Sequence, residues 1–205
     1  MLEVLTYVAT AAQAMTAALA AGRRQLDWFG VCVLACVTAL GGGSARDIML
    51  GHYPLSWVKS PNVLLLVCGA ALFTIAAARL MGRLHWPFLI LDAVGLVVFT
   101  IAGCNIGMTM GVHPIIVIVA GMVTGIVGGI LRDVLVTQVP LIFRGELYAS
   151  VSIITAVVYY FGAETGWPNE LEVMVALVVG LSLRLLSIHF GWKMPAFIYQ
   201  DQDKH

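Results

Sequence analysis

The chain has 205 residues, of which 60% are hydrophobic and only 11% charged. Soluble globular domains carry roughly 25% charged residues, so a mostly water-facing surface is excluded and a polytopic integral membrane protein without a sizeable soluble domain is implied. Basic and acidic residues cancel at 11 each, which gives no sign of a nucleic-acid partner.

Crossing a hydrocarbon core of about 30 Å takes about 20 apolar residues of helix. In chain order the apolar runs predict spans at about 3–21, 28–50, 60–80, 88–107, 114–136, 147–163 and 170–190. Ala93 to Leu131 is free of charge throughout and long enough for two spans. Breaks fall at Gly22-Arg23-Arg24, Ser60-Pro61, Gly82 to Pro87, Gly111 to Pro114, Arg144-Gly145 and Gly166 to Asn169. Each holds Gly, Pro or charge, the usual composition of helix ends. The first span is not a cleaved signal peptide, because Arg23 and Arg24 follow its apolar run. Cys32, Cys36, Cys68 and Cys104 all sit inside apolar runs and read as small hydrophobes.

Seven spans place the termini on opposite sides. Arg23, Arg24, Arg79, Arg83 and Arg144 fall on one side with the Lys193 and Lys204 tail, and Lys59 with Glu164, Glu170 and Glu172 on the other. The positive-inside rule then puts the N-terminus outside and the C-terminus in the cytoplasm. Trp28, Trp57, Trp86, Trp167 and Trp192 lie near span ends, where amphipathic rings prefer the interface.

Residues 37–55 read VTALGGGSARDIMLGHYPL and residues 123–141 read VTGIVGGILRDVLVTQVPL. They align without gaps at an offset of 86 residues, Arg46 with Arg132 and Asp47 with Asp133. A shared Gly-Gly-x-x-Arg-Asp followed by Pro-Leu is more than two apolar helices share by chance. Three spans per copy reverse the second copy. The sequence thus predicts an all-α fold of two inverted three-helix repeats, 1–86 and 87–166, with a seventh helix and tail over 167–205. Such repeats are common in transporters.

Gly41, Gly42 and Gly43 cost a helix about 1 kcal/mol each relative to Ala. The expectation is a break in span 2 there, matched in span 5 at Val127, Gly128 and Gly129. Freed carbonyls would suit a dehydrated cation, and freed amides an anion. Close helix packing through small residues is the alternative. Duplication of the run beside an Arg-Asp pair favours a pore or binding site. Neighbouring Arg and Asp point about 100° apart on a helix. Arg46, Asp47, Arg132 and Asp133 are therefore expected to bond to other helices or cap carbonyls, as anchors at two pathway mouths.

Thr38 and Thr124 are repeat-related and precede the glycines. Together with Ser44 they complete the candidate site. Gln13, Thr16, Thr100 and Asn105, in the first span of each repeat, are candidate lining residues. Asp92 opens span 4 as a helix cap, with a functional acid as the alternative. Arg184 is expected to snorkel or to pair with an acid. His52, His85 and His113 lack metal spacing, and no phosphate loop, zinc helix or nucleophile elbow is present, so neither an enzyme nor a bound cofactor is implied.

Gly41-Gly42-Gly43-Ser44-Ala45-Arg46-Asp47, Asp92-Ala93-Val94-Gly95-Leu96 and the repeat resemble the prokaryotic trimeric intracellular cation (TRIC) channels, a family whose bacterial branch is often described as glycine transporters. The resemblance covers about residues 3–198. It implies a homotrimer in a plasma (inner) membrane, with a potassium pathway in each protomer between the repeats. Spans 1, 2, 4 and 5 would line it and spans 2 and 5 would kink at the glycines. Val127 departs from the triple-glycine pattern. A carrier for glycine or another small zwitterion is the alternative.

Overall fold

The computed structural model describes residues 1–78, 85–144 and 147–195. Arg79, Arg83, Gly145 and Lys204 of the charge and turn assignments, and residues 82–84 of the Gly82 to Pro87 break, lie outside the described residues. All regular elements among the described residues are helical. They are α1 (Leu2–Gly22), α2 (Trp28–Leu50), the short α3 (Ser56–Lys59), α4 (Asn62–Ala78), α5 (His85–Thr109), α6 (Pro114–Leu135), a 3-10 turn (Leu141–Phe143), α7 (Tyr148–Glu164) and α8 (Asn169–Phe190).

Helix ends follow local chemistry. The Asp27 carboxylate accepts from the Gly30 amide at 2.7 Å and starts α2. Pro114 occupies the first turn of α6, where a missing N–H costs nothing. Gly51 ends α2 in the left-handed region at φ 67°. Thr137, 86 residues on, takes the same conformation at φ 54° after α6. The α3 turn has no counterpart in the predicted spans.

Among the described residues α1, α2, α5, α6 and α8 are long and apolar enough to cross a membrane. Helices α4 and α7 have 17 residues each. Large apolar side chains such as Phe29, Leu65, Phe73 and Phe190 face outward, as lipid requires. The chain is an integral membrane protein. Helix α5 sits centrally, packed on α1, α6, α7 and α8, and α6 also packs extensively on α2. Leu96, Val97 and Ile101 of α5 are fully buried.

Candidate functional site

The glycine runs do not break their helices. Both α2 and α6 continue as regular α-helix through Gly41-Gly42-Gly43 and Val127-Gly128-Gly129. The expected release of main-chain carbonyls is therefore corrected. The physical reason lies in the neighbouring helix. A Cβ on Gly42 would collide with the Thr124 carbonyl oxygen, and one on Gly128 with the Thr38 carbonyl oxygen. The two helices use the missing side chains to touch backbone to backbone, as small residues permit in membranes. Their helical hydrogen bonds stay intact. The pairing of 42 with 124 and 38 with 128 runs antiparallel, so Arg46 and Arg132 lie on opposite sides of the crossing.

The remaining glycines of each run differ from these. At Gly41 a Cβ would meet only the flexible end of Leu131, 2.6 Å from Cδ1, and at Gly43 it would meet open space beside the Arg46 guanidinium, 3.8 Å away. At Gly129 it would lie 3.1 Å from the Tyr148 hydroxyl and 3.8 Å from the Arg132 guanidinium. Val127, in the place of Gly41, is partly exposed.

The Arg-Asp pairs depart from expectation in part: each arginine bonds its own neighbour, while Arg132 also reaches two other helices as expected. Arg46 donates from Nε and Nη2 to Asp47 Oδ1 at 3.0 and 2.6 Å. Arg132 Nε donates to Asp133 Oδ1 at 2.9 Å. The 100° between adjacent residues is bridged by the long arginine stem, which folds back over the next side chain. The other carboxylate oxygen then ties down the following loop. Asp47 Oδ2 accepts from the Ser56 amide and hydroxyl at 2.7 and 2.8 Å. Asp133 Oδ2 accepts from the Leu141 amide at 3.1 Å. Both aspartates thus pin the turn that follows a shared proline, Pro54 or Pro140. His52 adds a ring nitrogen 3.0 Å from Asp47 Oδ1.

Beyond these common parts the two sides differ. Around Arg46 lies a cavity of about 280 Å³ between α1, α2, α3, α4 and α5 that reaches Thr124 of α6. Glu3, Thr6, Tyr7 and Thr10 line it from α1, Gly43, Ser44 and Arg46 from α2, and Ser56, Trp57 and Ser60 from the loop. Trp57 Nε1 donates to Ser44 Oγ at 3.1 Å, fixing the indole in the cavity wall.

Around Arg132 the side chains are buried. Its Nη1 donates to Asp92 Oδ1 at 2.8 Å and to Thr16 Oγ1 at 3.0 Å, and its guanidinium lies 4.6 Å from the Phe88 ring centre. Arg132 and Asp92 are both fully buried. Asp92 is no helix cap: α5 begins at His85, two turns earlier, and the carboxylate is the acid of an ion pair. Arg184 does not snorkel; it is buried, 4.8 Å from the Tyr148 ring. Asp92 Oδ2, Arg132 Nη2 and the Tyr148 hydroxyl are buried without a hydrogen-bond partner among the described residues.

The other candidates fall inside the helix bundle. Thr38 and Thr100 bond the carbonyls of Leu34 and Leu96, each at 2.7 Å, and Thr100 also meets Ser152 Oγ at 2.7 Å. Thr124 bonds Ala120 O at 2.6 Å yet still borders the cavity. Gln13 packs against Gly95, and Asn105 accepts from the Tyr159 hydroxyl at 3.2 Å. Phe88, Tyr148 and the Asp92–Arg132 pair were missed as a unit. Carrying the 86-residue offset back from 46 and 132 to 6 and 92 sets Thr6 against Asp92, the signal by which they could have been found.

A bundle of apolar helices with buried Arg-Asp networks and a cavity lined by both hydroxyl-bearing and apolar side chains is an all-helical membrane protein of transport type. The model of the family described as glycine transporter matches residues 3–79 and 89–164. An inner membrane protein of Escherichia coli (strain K12), UPF0126 YadS, is 40% identical over 98% of both chains. Among solved structures, a TRIC trimeric intracellular cation channel orthologue from Rhodobacter sphaeroides is 32% identical, with a TM-score of 0.90 over 93% of this chain and 98% of that one. A further TRIC cation channel structure is 29% identical, with a TM-score of 0.88 over 97% and 98% of the two chains. The chain belongs to this family of TRIC channels, whose model is described as glycine transporter.

Proposed function

We propose that the chain forms a membrane channel for monovalent cations, potassium foremost, with one pathway per protomer of a homotrimer. The architecture proposed for it is seven spans, as two inverted repeats (1–86 and 87–166) with a seventh helix and tail (167–205). The N-terminus is outside and the C-terminus is on the cytoplasmic side of an inner membrane. The observation that carries the reading is the cavity that runs from Glu3 at its mouth to Thr124 at the α2–α6 crossing. Its charge favours a cation. Asp47 cancels Arg46 at contact distance, which leaves Glu3 as the uncompensated charge of the lining. Hydroxyls of Thr6, Thr10, Ser44 and Ser56 replace part of an ion's hydration shell, the requirement for a dehydrated cation in a pore.

With α2 and α6 unbroken, side-chain oxygens do the work first assigned to main-chain carbonyls. Gly43, Ser44 and Thr124 are the lining residues of the candidate set. Gly42, Gly128, Thr38 and their neighbours set the helix crossing, and the two Arg-Asp pairs anchor the mouths. A carrier for glycine or another small zwitterion is the second reading, favoured by a cavity that holds both Arg46 and Glu3. Purified protein in a planar bilayer with KCl is expected to give discrete unitary currents. Saturable uptake of labelled glycine into proteoliposomes, without such currents, would establish the carrier instead.

A further inference from the structure

We infer that the two ends of the pathway are not equivalent: the Arg132 end alone carries a closing latch, and the Arg46 end stands open because the residues at its three matched positions make no such contact to the Arg46 guanidinium. The inference rests on reading the cavity as one end of a pathway. In the second half, Arg132 is held across helices by Asp92, Thr16 and Phe88. The 86-residue offset that relates Arg46 to Arg132 also relates Leu2 to Phe88, Thr6 to Asp92 and Thr16 to Ala102. Each substitution removes one contact. Thr6 has no charge, and its hydroxyl is turned back to the Leu2 carbonyl at 2.9 Å. Ala102 has no donor or acceptor where Thr16 supplies an oxygen. Leu2 has no ring face for a cation.

Thr6 and Ala102 both line the cavity beside Arg46. Open space therefore lies where the matched contacts are missing, and the side chains are buried where the contacts are present. What the Arg-Asp pairs share, the pinning of the following turn, is common to both ends and does not explain the difference. Access from the Arg132 side then depends on breaking a buried ion pair, whereas access from the Arg46 side depends on nothing comparable.

The test reads accessibility and not conduction, so it does not depend on which solute permeates. In full-length protein with its four cysteines replaced by alanine, single cysteines are placed by Ser44→Cys or at the matched position by Ile130→Cys. Each is exposed to a membrane-impermeant thiol reagent from either side of the membrane. The cysteine at 44 is expected to react from its own side at least about tenfold faster than the one at 130 from the opposite side. Installing the latch with Thr6→Asp and Ala102→Thr is expected to slow reaction at 44 by about tenfold. Asp92→Thr is expected to speed reaction at 130, with an unchanged size-exclusion profile as the control for folding. Equal rates at 44 and 130 in protein without the Thr6, Ala102 or Asp92 substitutions would overturn the inference. So would an unchanged rate at 44 after Thr6→Asp and Ala102→Thr in protein that remains monodisperse. Absence of potassium currents with the accessibility pattern intact would count against the channel and leave the asymmetry standing.

Discussion

Gly42→Ala tests whether the glycine runs serve the helix crossing. The added Cβ would overlap the Thr124 carbonyl oxygen and stand 3.1 Å from its carbonyl carbon. Neither atom belongs to a flexible side chain, so α2 and α6 must part by about 1 Å to restore van der Waals distance. Overpacking of this kind costs about 1–3 kcal/mol, against a gain of about 1 kcal/mol in helix propensity. Gly128→Ala meets the mirror-image obstacle at Thr38 O. Once one Cβ has separated the helices the second fits more easily, so the double variant is expected to lose less than the sum of the singles. Gly43→Ala is the control, because its Cβ meets nothing nearer than 3.8 Å. The assay is thermal unfolding of detergent-solubilised protein beside bilayer conductance. Gly42→Ala and Gly128→Ala should lower the transition temperature by several degrees and reduce conductance. Gly43→Ala should not lower the transition and, with the same helix-propensity gain unopposed, should raise it by a few degrees. A Gly42→Ala protein with unchanged unfolding and unchanged currents would refute the tight crossing and, with it, the account of why these helices stay unbroken.

Asp92→Asn strips a fully buried arginine of its cross-helix acid. Breaking a buried pair on one side costs about 3–5 kcal/mol, somewhat less here because Asp133 remains at 2.9 Å, and the loss should appear as a marked fall in unfolding temperature. Glu3→Gln removes the charge at the cavity mouth. Unitary conductance should fall in dilute KCl and converge on the parent value near 1 M salt, where the screening length is about 3 Å; a salt-independent loss would point to a structural effect. Thr137→Gly relieves a β-branched residue held at φ 54°. It should stabilise by about 1 kcal/mol, measured by unfolding temperature. The Arg24 contact to the 137 carbonyl at 3.2 Å is kept, since it uses only backbone there.

Much was settled by the chain before any fold was drawn. Apolar run length and Gly, Pro and charge at the breaks placed α2 at residues 28–50 and brought α6 and α8 within one residue of their observed ends, because lipid fixes helix length and punishes charge. The offset of 86 residues, carried by Gly-Gly-x-x-Arg-Asp, was equally legible, and so was the family. The use of those residues was not. A run of glycines reads the same whether it breaks a helix or admits a neighbour, and only the position of the Thr124 and Thr38 carbonyls separates the two. Helical spacing gives the direction of a Cβ but not the path of a long side chain, so the fold alone showed Arg46 and Arg132 folding onto the adjacent aspartates. Asp92 looked like a cap until α5 was seen to begin a full two turns earlier and Arg132 to lie against it from another helix. Pairing between distant segments depends on how helices pack, and that information is spread over every contact in the bundle and held by no local pattern.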